Sequence, residues 1–127
     1  MNIAVKTSGT RQVVDVTSEL ETQLPKTGSG LILATVLHTT AALTTADLDP
    51  GTDLDLLDFL AGITPRVQWR HPHNPAHAPA HLLSSVIGPS VTLPYRDGRL
   101  TLGTWQSVVL VELDGPRDRN IAVTVVN

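Results

Sequence analysis

Leu31-Ile32-Leu33-Ala34-Thr35-Val36-Leu37-His38-Thr39-Thr40-Ala41-Ala42-Leu43-Thr44 is the stretch on which the fold turns. Apart from Thr35, its first seven residues are apolar, without a Gly or Pro break. That pattern belongs to a buried central strand. Beyond it, His38 to Thr44 continues extended or turns, and it brings three hydroxyl groups close behind one histidine. Upstream, Ile3 to Lys6 and Gln12 to Val16 read as short strands around a Ser8-Gly9-Thr10 turn. Between them and the central strand lies a short helix, with Ser18 and Glu21 at capping-box spacing and Leu20 and Leu24 as an apolar i,i+4 pair. Gly28-Ser29-Gly30 then leads into the central run.

Downstream, Asp53 to Leu60 reads as a helix with Leu56, Leu57 and Leu60 on one face and Asp53 at its positive end. Val67 to Arg70 is a short strand candidate, and His71 to Pro79 is a loop rich in Pro and His. A second helix spans Ala80 to Ile87, with Pro79 in its first turn and Gly88 after its end. The last third is β: Val91 to Tyr95, an Arg96-Asp97-Gly98-Arg99 turn, Leu100 to Leu102, then Gln106 to Leu113 and Ile121 to Val126. Asp114-Gly115-Pro116-Arg117 joins the last two and reads locally as a hairpin loop. Six to eight strands and three helices give one α+β domain over residues 1–127, with a mixed or largely antiparallel sheet core.

Composition narrows the chemistry. The 127 residues contain no cysteine, which excludes disulfides, thiolate nucleophiles and Cys-held metals. A net charge of -3 argues against a nucleic-acid binder. No apolar run approaches the roughly 18 residues of a membrane span, and Met1 to Gly9 has no signal-peptide core. The expectation is a soluble, cytoplasmic protein. With Phe59, Trp69, Tyr95 and Trp105 as the only aromatics, the core must come from aliphatic side chains. A domain this small leaves apolar surface that self-association would cover.

Histidine outnumbers the aromatics, and four of the five lie between positions 71 and 81. The four-residue spacing of His77 and His81 suggests a helical metal pair, but Pro79 places His77 at or before the helix cap. His81 stands in the first turn, where the helix end favours a neutral ring. His38 closes the central strand. If His38, His71 and His81 converge, they form a three-histidine site suited to a divalent metal such as zinc. The bland alternatives are a hydrogen-bonded core histidine at 38 and a polar loop at 71–81. Gly103-Thr104-Trp105-Gln106 suggests a bulge that offers Trp105 as a stacking face, or else a core tryptophan. Arg117 and Arg119 could hold a phosphate or carboxylate, or could simply be solvated. The aspartates at 47–58 lack the Gly and Glu of a calcium loop.

His38-Thr39-Thr40-Ala41-Ala42-Leu43-Thr44, Arg70-His71, Ala80-His81-Leu82, Gly88-Pro89-Ser90, Asp97-Gly98-Arg99-Leu100, Leu102-Gly103-Thr104-Trp105-Gln106 and Asp114-Gly115-Pro116-Arg117 occur in the order seen in the YjbQ family. On this ordered set the chain resembles that family from about residue 30 onward. The resemblance implies a compact α+β homotrimer with a metal at the positions of His38, His71 and His81. It also implies a thiamine-phosphate synthase-like transfer that joins a pyrimidine pyrophosphate to a thiazole phosphate. In that reading Asp49 orients a ligand histidine, Arg117 and Gln106 hold the small phosphorylated ligand, and Trp105 stacks on the pyrimidine. Ala46-Asp47-Leu48-Asp49 is shorter than its counterpart in relatives and lacks their asparagine. The alternative function is a non-catalytic trimeric module that binds a small ligand.

Overall fold

The structure is a computed structural model describing residues 1–127. Eight strands form two antiparallel sheets. Strands β1 (Asn2–Lys6), β3 (Ser29–Val36), β5 (Ser90–Arg96), β6 (Arg99–Leu100) and β8 (Asp118–Val126) make a five-stranded sheet in the order β1-β8-β3-β5-β6. Strands β2 (Gln12–Asp15), β4 (Ala41–Ala46) and β7 (Ser107–Glu112) make a three-stranded sheet in the order β2-β7-β4. Helices α1 (Thr17–Glu21), α2 (Thr52–Gly62) and α3 (Ala78–Ile87), with one 3-10 turn at Pro75–His77, complete the chain. No helix is long and apolar enough to cross a membrane.

Three layers follow from side-chain alternation. Ile32, Ala34 and Val36 of β3 meet Ile121 and Val123 of β8, then Leu43, Val108 and Leu110 of the smaller sheet, in one aliphatic core. The other face of the smaller sheet offers Ala42, Val109 and Val111 to Leu60 of α2 and Ala80 and Leu83 of α3. β7 is therefore covered on both sides, as its unbroken apolar sequence requires. β3 is central, as the sequence predicts, but it is buried on one face only. Leu31 and Leu33 stand exposed on its outer face, with Val126 of β8 opposite Leu31.

Three local expectations are corrected. Val67–Arg70 forms no strand, since no sheet edge receives it. Residues 114–117 do not close a hairpin. β7 pairs with β2 and β4 while β8 pairs with β1 and β3, so the loop carries the chain from one sheet to the other. The Ser8-Gly9-Thr10 turn lies between two short strands as expected, and these too belong to different sheets. The capping box is not made: the Glu21 carboxylate accepts the Leu100 N–H at 2.9 Å instead, and no side chain caps α1. A tertiary partner has displaced the local one.

Candidate functional site

Glu112, at the end of β7, and Arg119, near the start of β8, point from opposite sheets into the space between them. Both are almost fully buried. The Arg119 Nε donates to Glu112 Oε1 at 2.8 Å, and Arg119 Nη2 pairs closely with Oε2. The Thr7 hydroxyl and the Asp114 N–H also donate to the carboxylate, at 2.7 and 3.1 Å. Burial pushes the Glu112 carboxyl up. The hydrogen bonds from Arg119, Thr7 and Asp114, with the Arg119 charge, outweigh it and hold the group below its ordinary value. The pair is ionised, with both carboxylate oxygens and the Nε and Nη2 of the guanidinium hydrogen-bonded.

Arg119 extends this network toward the surface. Its Nη2 donates to the Thr40 carbonyl at 3.2 Å and to Thr40 Oγ1 at 2.9 Å. Thr40 Oγ1 lies 2.9 Å from His38 Nδ1, and the Thr40 N–H donates to that same nitrogen at 3.1 Å. His38 sits in the β3–β4 link, exposed overall but with its Nδ1 edge turned inward. Its pKa is lowered, first by partial burial, then by the charges of Arg119, Arg117 and His81, against a smaller opposing effect of Glu112. These effects favour the neutral ring.

Ser84 donates to the Ala41 carbonyl at 2.6 Å and pins α3 against the start of β4. His81, one turn earlier on α3, is thereby brought within electrostatic range of His38. His71, on the irregular segment before α3, stacks near it, with ring centroids 4.9 Å apart and planes tilted by 43°. Trp69, Arg70, His71, Ala78, His81 and Leu82 line a cavity of about 250 Å³. Trp69 also lines a neighbouring cavity of about 770 Å³ that holds Arg11 and Arg66. Trp69, expected within a strand at 67–70, instead stands between these two cavities. Its position next to Arg70-His71 was the available signal.

Loop 114–117 forms the other side of the rim. The Arg117 Nε donates to the Asp114 carbonyl at 2.8 Å, and Nη2 bonds the Asp114 carboxylate at 3.1 Å, which leaves the rest of the guanidinium open. His77, read from the sequence as a loop residue, ends the 3-10 turn 3.9 Å from that carboxylate and links the two segments. Three predicted residues lie elsewhere in the bonding pattern. Asp49 is exposed in the turn before α2 and bonds through its backbone. Gln106 braces its own loop, accepting the Gly103 N–H at 2.8 Å. Trp105 on that loop is 69% exposed.

The donor set can be tested against the metal that the resemblance implies. His71 and His81 meet, but no three His, Asp or Glu side chains are arranged to hold an ion. His38 Nδ1 already receives two hydrogen bonds from Thr40. As arranged, the three-histidine set does not fit a metal.

Comparison with known proteins gives one consistent result. The family model described as "UPF0047 protein YjbQ-like" matches residues 1–127. A UPF0047 protein of Archaeoglobus fulgidus is 34% identical over 124 residues, covering 97% of this chain and 98% of that protein. UPF0047 protein YugU of Bacillus subtilis is 37% identical over 123 residues, covering 92% and 91%. Among solved structures, the conserved hypothetical protein TT1486 of Thermus thermophilus superposes with a TM-score of 0.89 at 36% identity, over 99% of each chain. The hypothetical protein APE1520 of Aeropyrum pernix gives 0.90 at 36% identity, over 100% of this chain and 97% of that one.

Proposed function

The chain belongs to the UPF0047 YjbQ-like family, and on that footing we propose that the rim formed by His38, His71, His81 and Arg117 binds phosphorylated substrates for a thiamine-phosphate synthase-like transfer. In this reaction the thiazole nitrogen forms a C–N bond to the pyrimidine substrate as its C–O bond to pyrophosphate breaks. The demand on the protein is to stabilise the departing anion. The observation that carries the reading is the continuous chain of donors from buried Arg119 through Thr40 to His38, beside the open guanidinium of Arg117. Trp69, which lines a cavity with His71 and His81, offers the pyrimidine a stacking face, as does the exposed Trp105. A divalent ion such as zinc would take the His71–His81 pair as two of its ligands.

Purified protein incubated with the pyrimidine pyrophosphate and the thiazole phosphate should form thiamine phosphate and pyrophosphate. Arg117→Ala should lower the rate by roughly 100-fold, the loss typical of one transition-state donor. Absence of product with retained pyrophosphate binding would replace the transferase by a ligand-binding module. Metal analysis of native protein against His81→Ala tests the ion separately.

The same reading includes a homotrimer, supported by Leu31, Leu33 and Val126 on the uncovered face of the five-stranded sheet. Sedimentation should give three copies, and Leu33→Lys should shift the protein toward monomer.

A further inference from the structure

The backbone N–H of Thr40 fixes the direction of the hydrogen bonds at His38. A guanidinium has donors only, so Arg119 Nη2 gives a proton to Thr40 Oγ1. Thr40 Oγ1 lies 2.9 Å from His38 Nδ1 and by itself could give that nitrogen a proton or accept one from it. The backbone N–H of Thr40 also has no choice but to donate, and it points at the same nitrogen from 3.1 Å. With that N–H donating to it, Nδ1 keeps its lone pair, the Thr40 hydroxyl can only donate to it as well, and the ring proton resides on Nε2. That edge lies across the ring from Thr40, and no protein group bonds it.

We propose that His38 is a fixed hydrogen-bond donor of the anion seat, a neutral Nε2–H imidazole directed at a phosphate oxygen of the ligand, and not a metal ligand. The acceptor's identity rests on the anion-binding reading above; the tautomer does not. A metal-bound histidine needs the opposite arrangement, with the outer nitrogen unprotonated and the inner N–H donated to an acceptor. Here the buried Glu112–Arg119 pair sets the polarity, and Thr40 transmits it. The charged and titratable groups acting on the ring are Arg119 of β8, Arg117 of the loop, His81 of α3 and Glu112 of β7. Three of the four disfavour an imidazolium there. A neutral donor suits a site whose ligand arrives with its own counterions, because it bonds the anion without changing its own charge state.

Nitrogen-15 NMR of the full-length native protein tests this directly. The one-bond proton coupling of His38 should appear on Nε2 and be missing from Nδ1 at pH 7, and added zinc should leave that pattern unchanged. A proton on Nδ1, or loss of the Nε2 proton on zinc addition, overturns the proposal. Titration with inorganic pyrophosphate gives a second arm. His38→Ala should weaken binding by roughly 10-fold or more, as for a lost bond to a charged acceptor. His38→Gln, which keeps an N–H at similar reach, should recover most of that loss. Equal weakening in both variants overturns the donor role even if the tautomer holds. Thr40→Ser should keep the Nε2 tautomer. Failure of the transferase assay leaves these outcomes readable, since none depends on turnover.

Discussion

Glu112 and Arg119 couple stability to the site through single atoms. Glu112→Gln preserves shape but leaves the buried guanidinium without its counter-charge. It should cost about 3–5 kcal/mol in urea unfolding, whereas the paired change Glu112→Leu with Arg119→Met should cost less than the single one. Acid should act by the same route. His38 has a folded pKa below its ordinary 6.5, so the unfolded chain takes up that proton first as pH falls. Its contribution is complete above pH 6.5 and is lost on descent toward the folded value. Glu112 adds a second loss below its ordinary 4.5, since its folded pKa is also lowered. Urea midpoints measured between pH 4 and 8 should fall on acidification, and His38→Gln should remove the limb that starts near 6.5. Sequence could single out His38 and Arg119 separately. It could not show that Thr40 joins them, because positions 38, 40, 112 and 119 share no local pattern.

At the scale of elements, loop 114–117 matters more than its hairpin-like sequence suggests. The Gly115 N–H donates to the Thr10 carbonyl at 2.9 Å, and Arg117 N–H to Thr7 Oγ1 at 2.9 Å, so the crossover is laced to the β1–β2 turn. A Cβ on Gly115 would sit 2.8 Å from Glu112 Cγ and against the Gly9 carbonyl. Gly115→Ala should therefore destabilise by about 1–3 kcal/mol and weaken pyrophosphate binding as Arg117 shifts, measurable by urea melts and calorimetric titration. The long periodic elements were legible: β3, β5, β7, β8, α2 and α3 fall where their apolar spacing puts them. The failures share one cause. Glu21 left its capping box for Leu100, 79 residues away, and the 67–70 segment had strand-like residues but no edge to join. Local rules end where a distant partner makes a better bond.

At the scale of the molecule, one α+β domain is legible from sequence but its two sheets are not. The division depends on which strands pair, and adjacency along the chain misleads here. β1 and β2 are consecutive yet lie in different sheets, and each finds its partner at the far end of the chain: β1 with β8, β2 with β7. The rim proposed to bind anions lies where these pairings end, at the 114–117 crossover and the β3–β4 link. It is thus assembled only when both sheets are.

That nesting of first strands against last has a kinetic side. Closing β1 on β8 means bringing together residues such as Thr7 and Arg117, bonded through N–H and carbonyl at 2.9 Å. Nearly the whole chain must be looped before those contacts repay the entropy. Refolding should be slow for so small a protein, in the millisecond-to-second range, as chevron measurements can establish. During synthesis the opening strands leave the ribosome with no partner in existence. They must stay uncommitted until β7 and β8 emerge, and in that interval their exposed edges are open to a neighbouring chain or a chaperone.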